Sequence, residues 1–211
     1  MSQLPLLQRT LRHFRSRRMR LFEQTFEISN STRILDVGGS RSIWQLASVE
    51  PRLTILNLPT ALDLGVDLID QVAGDGCHLP FRDKAFDIVF SNSVIEHVGS
   101  PSAQREFANE IARVGRHYWV QTPNRRFPVE LHLMLPFIHY LPKSFAQFIV
   151  NRFTVWELLA RPTSEQRAFY IRHVLEDVKL LDARELRVLF PGARIVKERF
   201  LGLAKSLIAC S

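Results

Sequence analysis

The chain has 211 residues, of which 46% are hydrophobic and 23% charged, and its formal net charge is +7. This length and balance fit one domain with a well-packed soluble core. No secretory signal or membrane-spanning helix is expected, because no continuous apolar stretch has the required length and position. Cys77 and Cys210 form neither a metal-ligand spacing nor a disulfide framework, so we expect no bound metal and a cytoplasmic location.

Residues 1–30 predict a basic amphipathic helix. Apolar residues recur at about helical spacing, and the arginines between them are opposed only by Glu23 and Glu27. The clustered arginines are Arg9, Arg12, Arg15, Arg17, Arg18 and Arg20. Three interpretations stay open: a packing helix with a solvated arginine face, a peripheral membrane contact, and a nucleic-acid contact.

Residues 31–211 predict a single domain in which short apolar strands alternate with helices. The predicted strands are 33–37, 53–57, 71–73, 86–91 and 118–122, with helices at 42–49 and from 102 onward. Asp182 is expected to cap a further helix, and residues 194–199 and 205–209 to form an antiparallel hairpin. The sequence therefore predicts a Rossmann-like, doubly wound α/β sheet of seven strands, mostly parallel with an antiparallel C-terminal strand.

The stretch Ile34–Trp44 predicts the principal ligand-binding corner of this sheet. A β-branched, apolar run passes through Asp36 and breaks at Gly38 and Gly39, and a helical pattern then resumes after Ser40. Glycines allow the backbone to approach a ligand, and a helix N-terminus after a buried strand favours anionic or polar ligand groups. In open α/β sheets such ligands lie at the carboxyl ends of the strands.

Polar residues and glycines mark the carboxyl ends of the other predicted strands as well. They are Asn57 and Leu58, Asp75 and Gly76, Ser91 and Asn92, and Asn124. Residues 125–181 then interrupt the alternation with many aromatic and aliphatic side chains, and they predict a helical lid between strands 5 and 6. The lid packs on the sheet or provides a pocket for an apolar, lipid-like acceptor.

Three blocks resemble the class I S-adenosylmethionine-dependent methyltransferases, specifically the small-molecule type related to the ubiquinone-biosynthesis enzymes. They are Gly74–Phe81 (GDGCHLPF), Phe86–Asn92 (FDIVFSN) and Val94–Val98 (VIEHV). The resemblance covers about residues 32–124 together with the final helix and strands. It implies a methyltransferase that binds S-adenosylmethionine and releases S-adenosylhomocysteine.

The resemblance also implies roles for the strand-end residues. The turn from Asp36 to Ser40 would line the methionine and ribose parts of the cofactor, and Asp75 would accept a hydrogen bond from the adenine amino group beside Gly76. Ser91 and Asn92 would lie near the methionine part. The sequence departs from the family pattern at Ser40 and Ser42, which replace glycines, and at Asn57, which replaces an acidic residue.

His132 is the candidate general base for an oxygen nucleophile, since histidine titrates near neutral pH. Glu130 could orient His132 if the segment is extended. A substrate contact and a packed or capping histidine remain open as alternative roles. His97 and Asn124 are further candidate substrate contacts, although His97 can equally be structural.

The predicted function is methyl transfer to a small-molecule acceptor, with a lipophilic or saccharide hydroxyl as the expected class. An RNA methyltransferase is the first alternative, but Ser91–Val94 stands where amino-methylating nucleic-acid enzymes carry an Asn/Asp-Pro-Pro-aromatic motif. A non-catalytic binding protein of the same fold is the second alternative, because of Asn57 and the missing glycines. The sequence makes no prediction of the oligomeric state.

Overall fold

The computed structural model describes residues 5–61, 70–130, 132–152, 154, 157 and 162–211. The main sheet contains β1 Arg33–Val37, β2 Arg52–Asn57, β3 Asp70–Ala73, β4 Phe86–Asn92, β5 Gly115–Pro123, β8 Arg194–Phe200 and β9 Leu203–Cys210. A small ribbon is formed by β6 Val129–Glu130 and β7 Leu135–Pro136. The helices are α1 Pro5–Phe26, α2 Arg41–Trp44, α3 Pro101–Val114, α4 Lys143–Val150, α5 Ser164–Glu176 and α6 Ala183–Leu189.

The main sheet has the strand order β3-β2-β1-β4-β5-β9-β8. β9 runs antiparallel to both β5 and β8, and the pairs formed by β1 to β5 are all parallel. The predicted seven-stranded, doubly wound sheet is therefore confirmed. Chain order reverses between β1 and β4, so a crevice opens at the carboxyl ends of these two strands.

Alternation along the strands divides the core between the two sheet faces. Ile34 of β1 and Ile88 of β4 lie on the face that packs against Phe22 of α1. Leu35 and Val89, one residue further along, lie on the opposite face with α3 and α6. This period of two is what a sheet covered on both sides requires. The sheet is thereby fixed from both sides, which holds its carboxyl edge in place.

The N-terminal helix packs on the sheet. Phe22 is fully buried, and its ring lies 4.9 Å from that of Phe90 and 5.6 Å from that of Trp119. Arg18 is buried as well, with 7% of its side chain exposed, so it does not belong to a solvated arginine face. Among the described residues, no helix has the length and apolarity needed to cross a bilayer.

The structure corrects some predicted boundaries. The helix after the first turn covers only Arg41–Trp44 rather than 42–49, because the Glu23 carboxylate of α1 accepts hydrogen bonds from the backbone N–H groups of Ser48 and Val49. Residues 62–69, between β2 and β3, lie outside the described part. The lid is not purely helical, since it begins with the ribbon of β6 and β7 and continues with α4 and α5.

The lid has a small core of its own. Leu133, Ile138, Val150 and Ile171 are buried together with neighbouring apolar residues of α4 and α5. The N-terminus of α5 is closed by a capping box at Thr163. The lid is therefore a packed part of the domain with its own core, and it can position side chains from β6 and α5 over the sheet edge.

Candidate active site

The first turn after β1 is shaped by Gly38. Its φ angle of +72° lies in the left-handed region, which favours glycine, and its N–H donates to the Leu56 carbonyl oxygen at 2.8 Å. A Cβ at this position would lie 2.5 Å from Cγ2 of Val94. The turn is thus tied to the end of β2 and packed directly against the segment that follows β4.

Asp36 lies beneath the same turn and is fully buried. Its Oδ2 accepts a hydrogen bond from Trp44 Nε1 at 2.7 Å, whereas Oδ1 has no partner. Burial raises the pKa of Asp36 to about 7, and the hydrogen bond from Trp44 offsets only part of that effect. A Cβ at Gly39 would lie 1.9 Å from Asp36 Oδ2, so only glycine fits above the carboxyl group.

Asn57 closes the other side of the turn. Its side-chain amide donates to the carbonyl oxygen of Gly39 at 3.0 Å. Leu58, which follows it, is 56% exposed. Ser40 is exposed, and its hydroxyl lies 2.8 Å from that of Ser42. Backbone and amide groups from β1 and β2 therefore converge at this corner.

Asp75 and Gly76 follow β3 at the same edge. Asp75 Oδ1 accepts the backbone N–H of Cys77 at 2.9 Å, and this bond is the main cause of the lowered pKa of Asp75. The other oxygen lies 3.4 Å from His78 Nδ1. Gly76 packs tightly, because a Cβ there would lie 2.7 Å from the ring of Phe107. Asp75 remains an ionised, exposed acceptor.

Three other predicted site residues use their side chains within the protein. Ser91 is fully buried and donates to the Val37 carbonyl oxygen at 3.1 Å, which joins β4 to β1. Asn92 Oδ1 accepts from the guanidinium of Arg18. Asn124 donates to the Ala204 carbonyl oxygen at 2.7 Å and accepts from the Arg126 N–H at 3.1 Å. Their predicted contacts with cofactor or substrate stay predictions.

A short 3-10 turn, Ile95–His97, begins directly after Val94, the residue that packs against Gly38. It is held from outside, since the Glu96 carbonyl oxygen accepts the Lys179 N–H at 2.7 Å. The Glu96 side chain points inward and is fully buried. Its Oε2 accepts from the Thr122 hydroxyl at 2.9 Å, and its Oε1 has no hydrogen-bond partner.

The lid brings His132 to this turn. Glu130 at the end of β6 holds His132, with Oε1 2.6 Å from Nδ1, and its other oxygen accepts the Leu133 N–H at 2.6 Å. The rings of His132 and His97 are perpendicular, with centroids 5.1 Å apart. The predicted orientation of His132 by Glu130 is therefore observed, and the two histidines predicted separately lie together.

α5 supplies a further histidine that the sequence analysis missed. His173 Nε2 lies 3.2 Å from His97 Nδ1, and His173 Nδ1 lies 2.9 Å from an oxygen of Asp177. The histidines are 76 residues apart in the chain. Glu96 was also missed as a site residue, although it stands beside His97 in the VIEHV block. Only Glu96 carried a sequence signal, because nothing near His173 indicates a site.

Burial and mutual charge control the ionisation of this cluster. Burial raises the pKa of Glu96 to about 7 and, with the neighbouring histidines, lowers the pKa of His97 to about 4. Burial alone would lower the pKa of His132, but the hydrogen bond to Glu130 and its charge outweigh it, so that pKa is raised. Glu130 correspondingly has a lowered pKa, because His132 outweighs the effect of burial.

A cavity of about 620 Å³ lies between the lid, α3 and α6. Its wall is largely apolar and includes Leu133, Ile138 and Val174. Glu130, which holds His132, lines it too, whereas none of the strand-end residues from Asp36 to Asn92 does. The cavity therefore adjoins the histidine cluster and is separate from the turn after β1.

Comparison with known proteins identifies the central part of the chain. The sequence model described as "Methyltransferase domain" matches residues 33–117. These residues contain the turn of Asp36 and Gly38 and the Glu96–His97 pair. Residues 33–117 form a class I S-adenosylmethionine-dependent methyltransferase domain. No curated protein matches the sequence.

Solved structures share the fold of this chain. A SAM-dependent methyltransferase of Methanosarcina mazei has 12% identity and a TM-score of 0.53, with 90% of this chain and 94% of that chain covered. Magnesium protoporphyrin IX methyltransferase of Synechocystis, with bound S-adenosylhomocysteine, has 11% identity and a TM-score of 0.57, with coverage of 100% and 88%. A Rhodobacter sphaeroides protein assigned to the zinc-dependent alcohol dehydrogenases has 12% identity and a TM-score of 0.61, with coverage of 92% and 87%. At such identities the likeness shows the fold alone.

The residues at the crevice between β1 and β4 fit S-adenosylmethionine. The unpartnered, buried Oδ1 of Asp36 is an acceptor beneath the turn, as a ligand with ammonium and hydroxyl groups requires. Asn57 and Asp75 add further acceptors along the carboxyl edge. Gly39 packs directly on the Asp36 carboxyl group, where a Cβ would clash with it. That the turn holds the methionine and ribose parts, and Asp75 the adenine, stays a prediction.

Proposed function

We propose that this chain transfers the methyl group of S-adenosylmethionine to an oxygen nucleophile of a small, lipophilic acceptor. The observation that carries the proposal is the Glu130–His132 pair, with its 2.6 Å contact, beside the Glu96–His97 turn. This turn begins next to Val94, which packs against Gly38 of the cofactor turn. A group able to activate a hydroxyl thus adjoins the cofactor edge.

When bound, S-adenosylmethionine supplies an electrophilic methyl group, whose C–S bond breaks toward sulfur as the acceptor oxygen forms the new C–O bond. The chain's own residues must align the acceptor and take up or release its proton. Glu130 fixes His132 through Nδ1, so Nε2 is the ring nitrogen left to meet the acceptor. His132 is accordingly proposed to activate the acceptor oxygen at Nε2.

The lid supports a lipophilic acceptor. The apolar cavity of about 620 Å³ adjoins Glu130, so an acceptor with an apolar body has space beside the group that holds His132. Exposed arginines on α1, such as Arg12 and Arg15, support the proposal that the protein meets such acceptors at a membrane surface facing the cytoplasm. Neither feature points to a saccharide in particular.

The proposal is tested with purified full-length protein and methyl-labelled S-adenosylmethionine. Calorimetry with S-adenosylhomocysteine measures cofactor binding first, and label transfer is then measured with lipophilic phenols and alcohols, saccharides and RNA. We expect cofactor binding, transfer to a lipophilic hydroxyl, and loss of transfer in His132→Ala with cofactor binding retained.

Two outcomes would replace the proposal. Absence of heat with both S-adenosylmethionine and S-adenosylhomocysteine would favour a non-catalytic protein of the same fold. Transfer of label to RNA, with binding that weakens steeply as salt is raised, would favour an RNA methyltransferase.

A further inference from the structure

Three side chains at the base of the lid bring one ligand atom each to the same point. The candidate ligand atoms of Glu96, His97 and His132 all lie within 4.8 Å of one another. Glu96 Oε1 is 4.0 Å from His97 Nε2, and the two imidazole rings are perpendicular. Among the described residues this is the one group of three or more such side chains.

The hydrogen bonds of His132 determine which of its nitrogens is available. The Glu130 carboxylate is an acceptor, so the 2.6 Å contact places a proton on His132 Nδ1. In the neutral imidazole Nε2 then carries a lone pair. A carboxylate that holds the far nitrogen of a histidine is the usual support of a metal-ligating histidine.

The same argument applies to His97 through α5. Asp177 accepts from Nδ1–H of His173, which leaves His173 Nε2 as an acceptor for Nδ1–H of His97. His97 Nε2 is therefore left with a lone pair as well. Two independent hydrogen-bonded chains, one from β6 and one from α5, thus orient both histidines toward Glu96.

Glu96 completes the set. Thr122 occupies its Oε2, and the fully buried Oε1 has no partner. A buried carboxylate oxygen without a donor costs free energy, and two imidazole lone pairs facing it provide no proton. With His132 neutral and Glu96 ionised, all three atoms are acceptors, so the group then lacks a positive centre between them.

We infer that Glu96, His97 and His132 bind one divalent first-row transition metal cation. Two imidazoles and one carboxylate suit Zn²⁺, Co²⁺, Mn²⁺ or Fe²⁺ better than Mg²⁺ or Ca²⁺, which prefer sets of oxygen ligands. Ligand atoms around such an ion lie about 3.4 Å apart in tetrahedral geometry, so shifts of about 1 Å close the present arrangement. The expectation of no metal rested on cysteine spacing, which carries no information about a site made by folding.

Three protein ligands leave coordination positions open, as in catalytic rather than structural zinc sites. The use of the cation rests on the proposed function: an acceptor hydroxyl bound to it loses its proton to solvent more readily, and the resulting oxygen attacks the methyl group. In that state His132 is a ligand, and activation of the acceptor comes from the cation. The products are the methylated acceptor, S-adenosylhomocysteine and one proton.

The test uses the full chain stripped of metal with a chelator. Co²⁺ is titrated by visible absorption, and Zn²⁺ by calorimetry. We expect one cation per chain and d–d bands of a four- or five-coordinate site. Glu96→Gln and His132→Ala should weaken binding more than about 100-fold, since loss of a supporting partner alone typically costs about 10- to 100-fold. Glu130→Gln should show that smaller loss.

His117→Ala is the matched control, because His117 is exposed near the start of β5 and should leave cation binding unchanged. S-adenosylhomocysteine calorimetry in metal-free protein is run on each variant and shows that it folds. Failure to bind Co²⁺ and Zn²⁺ stoichiometrically, or affinity in E96Q and H132A equal to that of the unmodified protein, would overturn the metal site. The proposed function would still stand if cofactor binding and methyl transfer persisted in chelator, and it fails separately if metal binds but the cofactor does not.

Discussion

The side-chain amide of Asn57 donates a hydrogen bond to the carbonyl oxygen of Gly39 at 3.0 Å. The family pattern has an acidic residue at this position, and a carboxylate could not donate this bond. In this chain the end of β2 therefore stabilises the first turn directly. Asn57, which departs from the family pattern, therefore has a structural role of its own.

Asn57→Asp should therefore weaken the protein even though it restores the family's acidic residue. The carboxylate would face the Gly39 carbonyl oxygen at hydrogen-bond distance without a proton, and we expect a loss of about 1–3 kcal/mol in the free energy of unfolding. Affinity for S-adenosylhomocysteine should fall as well, because the turn is no longer fixed. Urea denaturation and calorimetry measure both, with Asn30→Asp at an exposed position as control. Tighter cofactor binding at unchanged stability would contradict the expectation.

Asp36 makes the stability of the ligand-free protein depend on pH. Its pKa is about 7 in the folded protein against an ordinary 3.8, so the folded state binds more protons between these values. The contribution of Asp36 to the free energy of unfolding is therefore fully present below pH 3.8. It is lost as the pH rises toward 7, and the loss amounts to roughly 4 kcal/mol. Glu96, with a pKa also near 7, acts in the same direction.

Asp36→Asn should remove the part of this loss that is due to Asp36. The gain in the free energy of unfolding of the variant over the unmodified protein should therefore be larger at pH 8 than at pH 5. Urea denaturation in chelator at the two pH values provides the measurement. Asp87→Asn serves as the opposite case, because Arg33 lowers the pKa of Asp87. An unchanged pH dependence in D36N would show that Asp36 is ionised in the folded protein throughout this range.

The exposed arginines of α1 predict binding to anionic membranes. Arg12, Arg15 and Arg17 are exposed, unlike Arg18. Each basic residue near such a surface contributes about 1 kcal/mol, so replacing the three with Gln should weaken binding to phosphatidylserine vesicles by about 100-fold. Vesicle sedimentation at low and high salt measures it. A triple variant of Arg82, Arg172 and Arg187 to Gln changes the charge equally elsewhere, and equal loss in both variants would rule out a specific role for α1.

The strand periodicity and strand-end residues made most of the sheet predictable. The short apolar runs of β1 and β4, with Asp36 and Ser91 near their ends, follow from burial on both faces and require no knowledge of distant contacts. Boundaries that depend on tertiary contacts were not predictable. The early end of α2 depends on Glu23 from another helix, which no local pattern reveals.

The histidine cluster was only half predictable. The pairing of Glu130 with His132 follows from local spacing in an extended segment, whereas the approach of His173 to His97 depends on how α5 packs over the sheet. Contacts across 76 residues carry no periodic signal in one sequence. Arg18 was equally hidden, because a buried arginine within a run of exposed arginines has the same local pattern as its neighbours.

Arg18 is expected to be the arginine of α1 on which stability depends most. Its guanidinium forms two hydrogen bonds with Glu198, at 2.8 and 3.2 Å, and it also donates to Gln121 at 2.9 Å and to Asn92. Removing one partner of a buried ion pair leaves the other charge uncompensated, which typically costs about 3–5 kcal/mol. Lys205 also contacts Glu198, at 3.1 Å, and retains part of the compensation.

Arg18→Met should accordingly lower the free energy of unfolding by about 2–4 kcal/mol. This is less than the typical cost of breaking a buried ion pair, because Lys205 still compensates part of the Glu198 charge. Arg17→Met, on the exposed side of the same helix, is the matched control and should change stability by less than about 0.5 kcal/mol. Urea denaturation of both variants gives the comparison. If the two variants were equally stable, α1 would be held by its apolar contacts at Met19 and Phe22 alone, and Arg18 would not anchor it to β4, β5 and β8.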